Sequence, residues 1–273
     1  MGICRPPRNY HLRLWFDGLA VSVLLLYGLL AWSSASGQGG ATLDPVLAAA
    51  RERGTLRVAV DVGFRPFADT VDGELVGYDI DLARAVAARM GLHAEFVPTG
   101  FDALYDALTS GRADLIASAL PYAPEQGFRA RFSSVYFDGG QVLVVPADVP
   151  INGPADLAHR RVGVALGSDG DALARRMRRD GATFTLLSTY DEPTQALADL
   201  RAGRLDAVIT DNLAALTALQ AAPGLRIAAA LTSEPLVLAL PRPAFQLEAA
   251  VNQALAELRA EGFFGTLNRT WLR

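Results

Sequence analysis

An α/β fold of two lobes, each built on a mainly parallel sheet and joined by a two-strand hinge, is what this 273-residue chain predicts. Three observations carry the prediction. Short apolar runs alternate with segments of helical period from Thr55 onward. The alternation then recurs: ALTSGRADLIAS (107–118) and DLRAGRLDAVITD (199–211) both read helix, Gly, Arg, one residue, Asp, apolar strand. Finally, GGQVLVVPADVP (139–150) and SEPLVLALPRP (233–243) are apolar runs ending in proline-marked turns, suited to a pair of crossover strands.

Each element follows from local chemistry. Asp44-Pro45 caps and opens a helix through VLAAARERG that stops at Gly54. LRVAV (56–60) is a strand, and DVGFRPFADTVDGELVG after it is a loop. A helix runs from about Asp79 to Met90, with Ile80, Leu82, Ala83, Val86, Ala87 and Met90 at helical spacing. Asp79 and Asp81 stand at its start, where carboxylates cap and complement the dipole. HAEFVPT is a short strand, FDALYDALTSG a helix ended by Gly111, and ADLIASAL a strand apolar enough for a sheet covered on both faces. In SALPYAPEQGFRAR (118–131), two prolines and a glycine forbid a regular helix or strand. RRVGVAL (160–166) is a strand leading into a loop and helix, like LRVAV. The segment from Phe245 is an amphipathic helix plus a short one, packing back on the first lobe.

Composition excludes several function classes. The chain is 51% apolar and carries a net charge of −4, which argues against nucleic acid as a partner. All 25 basic residues are Arg. His11, His93 and His159 are scattered and Cys4 is the only cysteine, so neither a metal site, a cofactor nor a catalytic motif is expected. Arg5, Arg8 and Arg13 precede an apolar run at 19–32 and then SSASGQGG, the order of an export signal. Two readings follow: cleavage after Gly37, or an uncleaved anchor that ties the chain to the membrane through residues 19–32. Either places the protein outside the cytoplasm. The expected organisation is signal or anchor at 1–37, linker and leading helix at 38–54, lobe one from 55–143 plus 238–273, and lobe two from 144–237.

The segment from Thr55 to Trp271 resembles the extracytoplasmic solute-binding proteins of ABC importers, in the amino-acid-binding family with the type II periplasmic-binding fold. The motifs that carry the resemblance are GYDIDLARAVAARM (77–90), F-x-P-F (64–67), FDALYDALTSGRADLI, Pro-Glu followed by Phe-Ser and an aromatic pair (124–137), GQVLVV, VGVALGS, GRLDAVITD and the AVNQALAELRAEG tail, all in order. The resemblance implies two lobes closing over a small solute, with the permease subunits of a transporter as partners and no bond made or broken. It implies that Phe64 and Phe67 face the cleft, that Phe101 covers the ligand, and that Ser118 binds its head from a strand end. By the same resemblance Gly167, Ser168 and Asp169, ahead of a helix N-terminus, present donors to a carboxylate, and Asp211 pairs with an α-amino group.

The resemblance also exposes a departure. Where the family has a Ser/Thr and the arginine that grips an α-carboxylate, this chain has Pro121 and Gln126. Gln is neutral and cannot form the bidentate pair. Two readings remain open. Arg65, Arg129 or Arg131 substitutes for the missing arginine; or the ligand lacks an α-carboxylate, and Phe64, Phe67, Phe101 and Tyr122 with Asp211 hold a cationic amine. The functions in competition are delivery of an amino acid or related amine to an ABC permease, an anchored sensing domain, and a dehydratase-like enzyme on the same fold.

Overall fold

The structure, a computed structural model, describes residues 1–2, 44–221 and 223–272. The expected signal or anchor, its apolar run at 19–32, Cys4 and His11 lie outside the described residues.

Two five-stranded sheets form the frame. The first is ordered β4 (His93–Pro98), β1 (Thr55–Val60), β5 (Leu115–Ile116), β14 (Ala239–Pro241), β6 (Ala130–Phe132). The second is ordered β10 (Thr185–Tyr190), β9 (Arg161–Ala165), β11 (Ala207–Asp211), β8 (Gln141–Pro146), β12 (Leu225–Ala230). In each sheet a single strand runs against the other four, β14 in the first and β8 in the second. The sheets are therefore mainly parallel, and this is a two-lobe α/β fold.

Between them β7 (Phe137–Asp138) pairs antiparallel with β13 (Pro235–Leu236). β8 follows β7 and β14 follows β13, so each connecting strand continues as the reversed strand of the sheet it enters. The exit from the first lobe was expected near Val144. Val144 instead lies between β11 and β12, paired to Val208 and Ile227, and the crossing comes earlier, at 137–140. A run apolar on both faces reads equally well as a connector or as a central strand. At the crossing the two chains touch backbone to backbone: a Cβ on Gly140 would stand 2.4 Å from the Thr232 carbonyl oxygen. Asp138 ties them together, its Oδ1 accepting from the Gly140 and Glu234 amides at 2.9 and 2.8 Å and its Oδ2 from the Ser233 hydroxyl at 2.6 Å.

The sequence repeat has a structural cause. The Asp114 carboxylate accepts the Arg57 amide at 3.0 Å and its Nη2 at 2.7 Å. The Asp206 carboxylate accepts the Arg161 amide at 2.8 Å and its Nη2 at 3.0 Å. In both lobes, then, the Asp that ends the Gly-Arg-x-Asp turn holds the entering arginine of the neighbouring parallel strand, and fixes its start.

Locally, helix α1 (Pro45–Arg53) is capped as expected, by Asp44 accepting from the Leu47 amide and by Gly54 in the left-handed region at φ 73°. The loop after β1 contains a hairpin, β2 (Asp69–Val71) with β3 (Glu74–Val76). Its turn is Asp72-Gly73, both at positive φ, and that dipeptide was the legible signal. The strand expected over ADLIASAL pairs only at Leu115–Ile116; Ala119 adopts φ 42° and the chain leaves the sheet. The stretch at 118–131 also ends in regular structure, since β6 begins at Ala130, beyond the prolines, and forms an edge strand on β14. Asp79 does not cap helix α2 (Tyr78–Arg89): it is fully buried and accepts from the Ala119 amide. Asp81 pairs with Arg84 and accepts from the Trp271 indole.

Helices cover both sheets, and helix α3 (Leu104–Thr109) buries Leu104 and Leu108 with Ile116 of the first. Helix α7 (Phe245–Ala260) and helix α8 (Phe263–Trp271) bury Leu247, Val251, Leu255, Leu258 and Leu267 with Leu56, Val58, Leu82 and Val86 of the first lobe. The second lobe buries Leu143, Val162, Val164 and Ile209 with Leu173 and Ala174 of helix α4 (Asp169–Arg179) on one face. On the other, Val144 and Val208 pack with Leu197 and Leu200 of helix α5 (Pro193–Arg201) and Ala215 of helix α6 (Asn212–Ala221).

Candidate functional site

Strand ends from both sheets converge on one cleft. β1 delivers Asp61 just past its last residue, β5 leads to Ser118 and Ala119, and β11 ends in Asp211. All three arrive at carboxyl ends of strands, where open α/β sheets place ligands. The cleft holds about 480 Å³, in the range of small-molecule sites. Its remaining walls include Phe64, Phe67, Phe101, Phe137 and Glu234.

The aromatic side is partly fixed and partly free. Phe67 is buried, stacks on Phe64 with ring centroids 5.8 Å apart, and meets Phe137 edge-on at 5.7 Å. Phe64 and Phe101 are about half exposed, at 56% and 49%, so apolar surface stands ready to be covered. The Ser118 hydroxyl is buried and accepts the Asp61 amide at 3.0 Å, joining the ends of β1 and β5. Asp211 accepts the Ala214 amide at 2.8 Å through Oδ1, which holds the carboxylate at the start of α6. Asp61, Asp211 and Glu234 form no ion pair among the described residues, and no basic residue lines the cleft.

Of the residues singled out from the sequence, the structure brings Phe64, Phe67, Phe101, Ser118 and Asp211 together here. It places the others elsewhere. Tyr122 packs edge-on against Phe132 at 5.2 Å. Gln126 ends a short 3₁₀ turn, Pro124–Gln126, outside the cleft lining, with its Oε1 buried and unpartnered. The Gly167 amide donates to Asp171, and the Ser168 hydroxyl caps α4, accepting from the Asp171 amide and donating to the Ala165 carbonyl. These donors are used within the turn. Asp169 lines a separate cavity with Arg176 and Arg179.

The three arginines offered as substitutes are also engaged away from the cleft. Arg65 pairs with Asp69, Arg129 with Asp106 above the Tyr105 ring, and Arg131 with Glu248. The physical reason is proximity: each has a carboxylate closer at hand than the cleft. Sequence reasoning missed Asp61, Phe137 and Glu234. Asp61 carried a signal, since it follows an apolar strand just as Asp211 ends one; Glu234 became relevant only through the crossover.

Beneath the cleft lies a buried acid. Burial pushes the Asp79 carboxyl up to about 7, and the Ala119 amide partly offsets this. The neighbouring Tyr136 hydroxyl favours the ionised carboxylate as well, while burial and that carboxylate push the Tyr136 hydroxyl up. Among the described residues no group of three or more His, Cys, Asp or Glu is placed to hold a metal ion.

Comparison with known proteins agrees with this architecture. The L-cystine-binding protein of Escherichia coli K12 is 30% identical over 226 residues, covering 81% of this chain and 84% of that protein. The unliganded, open crystal structure of the L-cystine solute receptor of Neisseria gonorrhoeae superposes with a TM-score of 0.69 at 28% identity, over 81% of this chain and 96% of the receptor. An ancestral cyclohexadienyl dehydratase superposes with a TM-score of 0.70 at 29% identity, over 83% and 95%. The profile of one family spans residues 56–273, both sheets and the crossover between them, and the chain accordingly belongs to the bacterial extracellular solute-binding proteins, family 3.

Proposed function

We propose that this protein captures a small amine-bearing solute, an amino acid or a related amine, outside the cytoplasm and delivers it to the permease subunits of an ABC transporter. The observation that carries the reading is the cleft itself. It takes Ser118 from the first sheet and Asp211 from the second, so one solute can bridge both lobes across the β7–β13 crossover. In this reading lobe one takes the strands of the first sheet and α7–α8, lobe two the strands from β8 to β12, and residues 137–140 and 232–236 form the hinge. Closure removes the solute from water and strengthens its charge contacts. The N-terminal 37 residues act as an export signal, with an uncleaved anchor at 19–32 as the alternative. The mass of the protein recovered from its host separates the two: a start at Gln38 means cleavage.

Thermal melts of the full chain against amino acids and aliphatic amines test the capture. A solute that binds only the folded protein adds about 2.7 kcal/mol at 100 times its Kd. If no member of either class raises the midpoint, the reading fails. Likeness to an ancestral dehydratase supports a second reading, an enzyme with Asp61 or Asp211 as its acid–base group. Proton NMR of the bound solute separates them, since a receptor releases it unchanged.

A further inference from the structure

We propose that the solute is an organic cation with no carboxylate, bearing at least two positive nitrogens separated by an apolar spacer. This rests on the receptor reading above and names the class of its ligand.

Asp61, Asp211 and Glu234 line the cleft, and no arginine or histidine does; the chain has no lysine at all. Arg65, Arg129 and Arg131 are held by Asp69, Asp106 and Glu248, and Arg57, four residues before Asp61, by Asp114. None of the three cleft carboxylates is in an ion pair among the described residues; Glu234 also lines the neighbouring cavity that holds Arg176 and Arg179, whereas Asp61 and Asp211 line only the cleft, and closure over a ligand takes these two out of water. Desolvated carboxylates need compensation from the ligand, and a single positive charge leaves one of Asp61 and Asp211 uncompensated. A carboxylate on the ligand adds a fourth negative charge in the same space. The donors on view do not offset it: the Gly167 amide and the Ser168 hydroxyl are spent inside their own turn.

The placement of the acids sets the ligand's shape. Asp61 belongs to the first sheet's strand ends, Asp211 to the second's, and Glu234 to the segment entering β13. A cation charged in more than one place can meet acids from both sheets at once. The same cleft is lined by Phe64, Phe67, Phe101 and Phe137, and aromatic walls bury methylene groups and attract ammonium or guanidinium groups to their faces. Ser118 sits at the junction, its hydroxyl buried and already accepting one amide. Diamines, polyamines and guanidino-amines have this chemistry; amino acids add the one group the cleft cannot neutralise.

Matched pairs that differ by the α-carboxylate alone test the proposal: putrescine against ornithine, cadaverine against lysine, agmatine against arginine. Titration calorimetry on the full chain is expected to show at least one decarboxylated member binding tenfold or more tighter than its parent. That affinity is expected to fall as salt is raised from low to physiological ionic strength. Asp61→Asn and Glu234→Gln are each expected to weaken it about tenfold, the usual loss for a charge-assisted contact, without moving the melting point of the free protein. If the amino acid of every pair binds equally or more tightly, the proposal is overturned and the receptor reading stands. If neither amines nor amino acids bind, both fail. If amines bind but both variants bind them unchanged, the acids are not the reason and the proposal is overturned.

Discussion

Asp79 shows how much one buried group can hold. It opens α2 in the sequence, yet its carboxylate reaches across to the Ala119 amide, where β5 gives way to the cleft wall. Its pKa is raised to about 7 in the folded protein, against about 3.9 in an unfolded chain. A raised carboxyl stabilises the fold fully below the unfolded value, and that stability is lost as pH rises through the folded value. Denaturant unfolding should therefore show the protein losing up to about 4 kcal/mol between pH 4 and pH 8, at about 1.4 kcal/mol per pKa unit. Asp79→Asn keeps an acceptor for the Ala119 amide and cannot ionise, so its stability should be nearly flat between pH 5 and 8. A variant as pH-dependent as the parent in that window rules Asp79 out as the source.

The repeated strand–turn element is built twice with different burial. In the first lobe the Asp114 side chain is 3% exposed and is met by both Arg53 and Arg57. In the second, Asp206 is 25% exposed and is met by Arg161, itself 46% exposed. Removing an acceptor from a buried network leaves its donors unpaired, whereas an exposed pair is replaced by water. Asp114→Ala should cost about 2–4 kcal/mol and Asp206→Ala about 1 kcal/mol in urea unfolding monitored by circular dichroism. Equal costs would mean that burial does not set the difference. The motif was plain in the sequence as Gly-Arg-x-Asp; its arginine partners on β1 and β9 were not, because parallel pairing joins residues 57 and 45 positions apart.

At the scale of the molecule, the crossover decides how the lobes relate. Its two chains pass so closely at Gly140 that a side chain there meets the Thr232 backbone, while a Cβ on Gly139 has nothing nearer than 3.7 Å. Gly140→Ala should lower stability by about 1–3 kcal/mol, the range for forced overpacking. Gly139→Ala should stay within about 0.5 kcal/mol, as substitutions away from such contacts do. Thermal melts of both check this, and indistinguishable midpoints would remove the close approach as a constraint.

The sequence by itself determined the two-lobe α/β frame, because helical and strand periods, glycine caps and an alternating order are local properties. The resemblance of its motifs to a known family also singled out Phe64, Phe67, Phe101, Ser118 and Asp211, which the structure brings to one cleft. Only the tertiary structure decided the rest. Arg65, Arg129 and Arg131 each found a nearer carboxylate, while the Gly167 amide is taken by Asp171 and the Ser168 hydroxyl by the Ala165 carbonyl. The charge of the cleft belongs to the same class. Asp61, Asp211 and Glu234 are far apart in the chain, and they become one acidic surface only where the two sheets and the crossover meet, since burial and electrostatics depend on distance in space rather than along the sequence.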